Sequence, residues 1–271
     1  MAGLNTATLV GGLHLEPRSL ETSPSSLFLQ DALALLLFAT GAQTPLVALL
    51  SLRRARNLFV VAFPYVALGL LLLPLSGFTG LALLVLGPAP LIGGRIAPLV
   101  GARQDRVGAL GVATLVIAFV LLLGGTPAVA GVLQPVIIAF VAGLVLAGTV
   151  PTLRDRLLPL LDGARYVAIG VILVILAVVA APTLDGRSVG IAAGVLLVGV
   201  LAAAAIAAVM RTDPVSAALG AGIRDPVVAG GLVLATGGGD ALAIPLAYAG
   251  LLAVALLALG LGRKLFVRRD A

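Results

Sequence analysis

The chain has 271 residues, of which 61% are hydrophobic and 10% charged, with a formal net charge of +6 and a mean hydropathy of +1.23. Soluble domains usually carry about 25% charged residues, so the composition excludes a soluble fold and leaves no mass for an extramembrane catalytic domain. There is no cysteine and one histidine, His14, which excludes disulfides, thiolate sites and imidazole clusters.

Residues 1–26 lack the basic start and apolar core of a signal peptide and read as an N-terminal tail. Apolar runs bounded by charges or Gly/Pro clusters then predict nine spans, at 27–51, 57–76, 79–102, 106–124, 127–150, 165–182, 188–210, 214–237 and 240–262. Each approaches the roughly 20 residues a helix needs to cross the hydrocarbon core. The runs are apolar all round rather than alternating, which selects helices over a β-barrel. Connections are short, so neighbouring spans are antiparallel.

With the N-terminus outside, the inner side receives Arg53, Arg54, Arg56, Arg103, Arg106, Arg154, Arg156, Arg165, Arg211, Arg263, Lys264, Arg268 and Arg269. Arg18 and Arg187 stay outside, while Arg95 and Arg224 fall at membrane depth. This asymmetry is what the positive-inside rule demands. Basic residues stand in short clusters beside apolar runs, an orientation signal rather than a nucleic-acid face. The expectation is an all-α protein of the plasma (inner) membrane with nine transmembrane helices, its transporter domain at 27–262 and a basic cytoplasmic tail at 263–271.

Nine spans give the block 1–4 the opposite orientation to the block 6–9, the arrangement of an inverted repeat. Span 3 carries Pro88, Pro90, Gly93, Gly94 and Pro98, and span 8 carries Gly220, Gly222, Pro226, Gly230 and Gly231. Proline removes a backbone donor and clashes one turn back, while glycine tolerates unwound backbone. Both spans are predicted to unwind near mid-membrane and cross, with half-helix ends aimed at one site. A faint echo joins them: Arg95-Ile-Ala-Pro98 beside Arg224-Asp-Pro226.

A charge at membrane depth costs about 2.5–3.5 kcal/mol on insertion scales, so Arg95 and Arg224 call for a reason. In the functional reading they form a guanidinium pair for an anionic group, because arginine suits carboxylates through two parallel hydrogen bonds. Asp225 then pairs with Arg95 or takes up a proton during the cycle. In the structural reading the same charges form an internal ion pair that locks the crossing helices. Gly94, Gly222 and Pro226 complete the expected substrate-binding set, with Gln43 and Thr44 beside Pro45 lining a pathway. Tyr65, Thr114, Gln134, Tyr166 and Tyr248 read as helix–helix hydrogen bonds or interfacial aromatics. The functional reading expects Arg224→Ala to abolish uptake and spare folding.

The stretch LLFATGAQTPL from Leu36, the proline at Pro74, the spacing from Pro90 to Asp105 and GAGIRDPVVAGG from Gly220 together resemble the bile acid:sodium symporter family. Its wider superfamily includes arsenite exporters and auxin efflux carriers. The similarity covers nearly the whole chain from about Leu33, with the family's first helix missing. The resemblance implies a core of 57–124 and 188–262 holding both crossing helices, a panel of 27–51 and 127–182, and transport by rocking one against the other. Where the family has glutamate, glutamine and asparagine, this chain has Gly220, Arg224 and Asp225. In the first motif, Arg95 and Ile96 replace a small hydroxyl residue and an asparagine. These exchanges delete oxygen ligands and add positive charge, so no sodium is expected at the family's sites. Proton coupling through Asp225, exchange and facilitated diffusion stay open.

The leading reading is a secondary transporter of small organic anions, with the lipid bilayer and its substrate as partners and no cofactor. A membrane-embedded enzyme needs clustered His, Cys or carboxylates, which membrane depth here does not supply. An efflux carrier of the same superfamily and a non-transporting sensor or assembly subunit are the alternatives.

Overall fold

The computed structural model describes residues 24–44, 55–75, 79–124, 127–236 and 241–267. Among these the regular structure is entirely helical: α1 (Pro24–Gln43), α2 (Ala55–Leu72), α3 (Thr79–Leu86), α4 (Gly93–Val100), α5 (Gln104–Leu123), α6 (Pro127–Thr149), α7 (Pro151–Ala180), α8 (Gly186–Val209), α9 (Pro214–Ala217), α10 (Pro226–Ala235) and α11 (Ala243–Val267). Among the described residues six stretches, from Gln104–Leu123 to Ala243–Gly260, are long and apolar enough to cross a membrane, and Leu27–Gln43 and Ala55–Leu71 are shorter apolar helices. The protein is therefore an α-helical membrane protein. The end of the first expected span, most of the N-terminal tail, Arg53, Arg54, Asp240, Arg268 and Arg269 lie outside the described residues.

Breaks occur in both proline- and glycine-rich stretches. The chain leaves helix after Leu86 and re-enters it at Gly93. In the later stretch α9 runs into a π-helical turn, Ala218–Gly222, then extended backbone at Ile223 and Asp225, then α10. The first half-helix pair ends at Gly101, whose φ of 78° is left-handed and suits glycine.

One boundary differs from the sequence expectation. The predicted spans leave residues 151–164 as a connection, but α7 begins at Pro151 and only Val150 separates it from α6. Proline fits the first position of a helix, where its missing N–H has no intrahelical role. Leu161, Arg165, Ala168, Ile172, Leu176 and Ala180 then form one buried stripe at helical spacing. Arg165, counted among solvated inner-side charges, sits on that stripe and is 3% exposed.

Small residues set the packing. A Cβ at Gly41 would lie 2.2 Å from the Phe140 carbonyl oxygen, and one at Gly143 would lie 2.2 Å from that of Phe38. Helices α1 and α6 thus touch backbone to backbone, as glycine permits in a bilayer, and α7 packs against both. On the other side α8 gathers α2, α11 and the π-helical turn, with Gly199 and Gly222 in backbone contact. Helix α10 packs against α1, α3, α7 and α11, its Gly230 and Gly231 leaving room for Leu176 and Leu33.

These two groups meet in a shared apolar cluster. Leu29, Leu33, Leu36 and Leu37 of α1 pack into one buried apolar cluster with Leu115, Phe119 and Leu122 of α5, Ile172 and Leu176 of α7, and Leu232 and Val233 of α10. The end of α1, the starts of α5 and α7, and α4 carry polar residues instead, among them Gln43, Thr44, Arg95, Gln104 and Arg165.

Candidate functional site

Unwound backbone inside a membrane protein must find partners for every freed N–H and C=O, and here the two breaks supply many of them to each other. The Asp225 N–H donates to the Pro88 carbonyl at 2.8 Å, and the Leu91 N–H donates to Asp225 Oδ2 at 2.8 Å. Asp225 Oδ1 accepts from the Val227 and Val228 amides, so the same carboxylate caps α10. Around them, the single Tyr65 O–H proton is shared between the Gly87 and Thr114 carbonyls, each 3.0 Å away. Thr114 Oγ1 accepts from the Ala89 N–H, and Tyr248 OH accepts from the Arg224 N–H. Tyr65, Thr114 and Tyr248 are thus the helix–helix bonds expected of them.

Beside the first break lies a cavity of about 510 Å³. One wall is the end of α1 and the start of α7, with Thr40, Gln43, Thr44, Leu158 and Arg165; the other is Ala89–Leu91, Gly94, Arg95 and α5 from Gln104 to Leu115. A polar chain spans the two walls. Arg95 Nη2 donates to Asp162 Oδ2 at 2.5 Å, Gln43 Nε2 donates to Asp162 Oδ1 at 2.8 Å, and Arg165 Nη1 donates to Gln43 Oε1 at 2.5 Å. Arg165 Nε and Nη2 are buried and have no hydrogen-bond partner.

Of the residues expected at a common site, Gln43, Thr44, Gly94 and Arg95 line this cavity, while Gly222, Arg224, Asp225 and Pro226 do not. Arg95 and Arg224 therefore do not converge as a pair. Arg224 is fully buried, its guanidinium 3.9 Å from the centre of the Tyr65 ring and its Nη1 donating to the Ala221 carbonyl. A stacked cation of this kind gains about 2 kcal/mol when desolvated. Asp225 forms an ion pair with neither arginine; its oxygens accept the Leu91, Val227 and Val228 amides instead. The internal ion pair of the structural reading is likewise absent among the described residues. Gly222 serves the close approach to α8, and Pro226 opens α10.

The sequence reading passed over Asp162 and Arg165. Their signal was the spacing of Arg165 from Leu161, Ala168 and Ile172, which places a cation on the buried stripe of α7. A second signal was the repeated Asp-Pro pair, at Asp213–Pro214 and Asp225–Pro226. Aspartate before proline is the pattern of an N-cap followed by the first helical residue, and both aspartates act so.

The crossing is held by backbone amides and an arginine. Both Asp225 oxygens accept N–H bonds, and the neighbouring Arg224 supplies a cation. No family model matches this chain, and no curated protein matches it.

Proposed function

We propose that this protein is a secondary transporter of small organic anions working by alternating access. The observation that carries the reading is the cavity at the first helix break, lined by Arg95 and by the buried Arg165. A carrier needs a substrate space reached from one face and closed from the other. The apolar cluster around Leu33, Phe119 and Leu176 supports such a closure. In this reading α1, α6 and α7 are the panel and the remaining spans the core, so the cavity lies on the surface where the two rock. The proposal includes nine spans in the plasma (inner) membrane, an inverted repeat, the N-terminus outside and the cytoplasm facing the cavity mouth at Gln104, Asp105 and Arg154. Arg165 takes the place of Arg224 as the second guanidinium, and coupling does not run through sodium at the crossing.

The test is flux. The purified chain in liposomes, offered a mixture of small labelled carboxylates, is expected to give saturable, protein-dependent uptake that is equal in sodium and potassium buffers. Absence of uptake across the mixture overturns transport, and uptake lost on replacing sodium overturns the coupling statement.

A further inference from the structure

Charge counting around the cavity leaves Arg165 without an ion pair, although the Asp225 carboxylate lies near enough to act on it electrostatically. Asp162 pairs with Arg95, Asp105 with Arg103 and Asp155 with Arg154, and no ion pair among the described residues includes Arg165. Gln43 holds its Nη1, which leaves Nε and Nη2. Those two nitrogens form the side-on fork of a guanidinium, with N–H bonds parallel and spaced for the two oxygens of a carboxylate. Arg224 has the same two atoms unpartnered, but it lies outside the cavity lining with its face on Tyr65.

We infer that Arg165 seats a singly charged carboxylate on its Nε and Nη2, and that the protein selects such carboxylates over sulfonates and gives a second carboxylate no advantage. The inference takes the cavity as the substrate site of the transporter proposed above. A sulfonate brings a third oxygen for which the fork has no donor, and a buried acceptor without a partner is costly. A second negative charge finds Arg95 already satisfied by Asp162. Ala89, Leu91, Val112 and Leu115 make the nearby lining apolar, which suits a hydrocarbon body behind the carboxylate.

The experiment measures binding, not flux, so its outcome is independent of whether the protein transports. The full chain in lipid nanodiscs is titrated with cyclohexanecarboxylate and with the matching sulfonate, carboxamide and trans-dicarboxylate. The carboxylate is expected to bind and the carboxamide not to. The sulfonate is expected to bind about tenfold more weakly, the loss one unpartnered buried oxygen produces. The dicarboxylate is expected to gain nothing over the monocarboxylate. Arg165→Lys, which keeps the charge and removes the fork, is expected to weaken the carboxylate about tenfold and to narrow its advantage over the sulfonate. Equal binding of carboxylate and sulfonate, a tighter dicarboxylate, or unchanged affinity in R165K overturns the inference. Where R165K does not fold, phenylglyoxal modification of Arg165 in the unaltered protein decides: protection by cyclohexanecarboxylate supports the seat, and equal modification with and without it refutes it. Carboxylate binding without flux would refute the transporter and keep the seat; flux with an unaffected R165K would do the reverse.

Discussion

Arg95 and Arg224 each stand a few residues before a proline beside a helix break, yet their surroundings are opposite. Arg95 lies in the first turn of α4 with 53% of its side chain exposed, ion-paired to Asp162 across the cavity. Arg224 lies in the linker before α10, fully buried on an aromatic ring. The position of the proline explains the difference. Pro226 begins a helix, which makes Asp225 the cap and leaves Arg224 outside it; Pro98 lies inside α4, so Arg95 is already helical. Aligned by their helix starts, Asp225 corresponds to Ile92 and Arg224 to Leu91. Proline marks where a helix yields, while the offset from it decides where a neighbouring charge goes.

That contrast breaks most severely at Asp225. Asp225→Ala leaves the Leu91, Val227 and Val228 amides without their acceptor, a loss of about 3 kcal/mol or more. The expected result in detergent is aggregated protein or a strongly lowered melting temperature. A variant melting like the parent would show that the two breaks do not depend on this carboxylate.

Tyr65 separates the ring beneath Arg224 from the hydroxyl that holds the first break. Tyr65→Leu loses both, at about 3 kcal/mol, whereas Tyr65→Phe keeps the ring and loses about 1.5 kcal/mol. Equal melting temperatures for the two variants would remove the ring from the account.

Asp213 is the solvated counterpart of Asp225, with the same proline after it. Burial works against its charged form, but the Ser216 hydroxyl, the Ser216 and Val215 amides and Arg106 outweigh it and hold the carboxyl below its ordinary value. A depressed value in the folded state means its contribution is complete above the unfolded value of roughly 3.9 and is lost as pH falls through the folded one. Asp213→Ala is expected to cost about 1 kcal/mol at neutral pH. The gap from the parent should close in melts taken below about pH 4; a gap that persists in acid would contradict the capping role.

The smallest effect belongs to Arg224→Met. Removing an unpaired buried cation relieves desolvation while it forfeits the aromatic contact, so stability should change by no more than about 1 kcal/mol. Cyclohexanecarboxylate binding should be unchanged. This reverses what the sequence reading expects of Arg224, and lost binding in a well-folded R224M would restore that reading.

The places where helices break were legible because Pro88, Pro90 and Pro226 act locally, through the backbone of their own segments. The partner of each arginine was not legible, because it comes from distant chain. Tyr65 reaches Arg224 from α2, and Asp162 reaches Arg95 from α7. Arg165 was half legible: its spacing from Leu161 and Ile172 was visible, but nearby charges made the segment look like a loop.

Gly41 and Gly143 press α1 and α6 together, and one residue, Val150, couples α6 to α7. Gln43 and Arg165 therefore stand in one packed group, joined by their own hydrogen bond. In the transport cycle proposed above, Arg95 and Asp162 would belong to different levers, which makes their ion pair the clasp that each stroke has to undo.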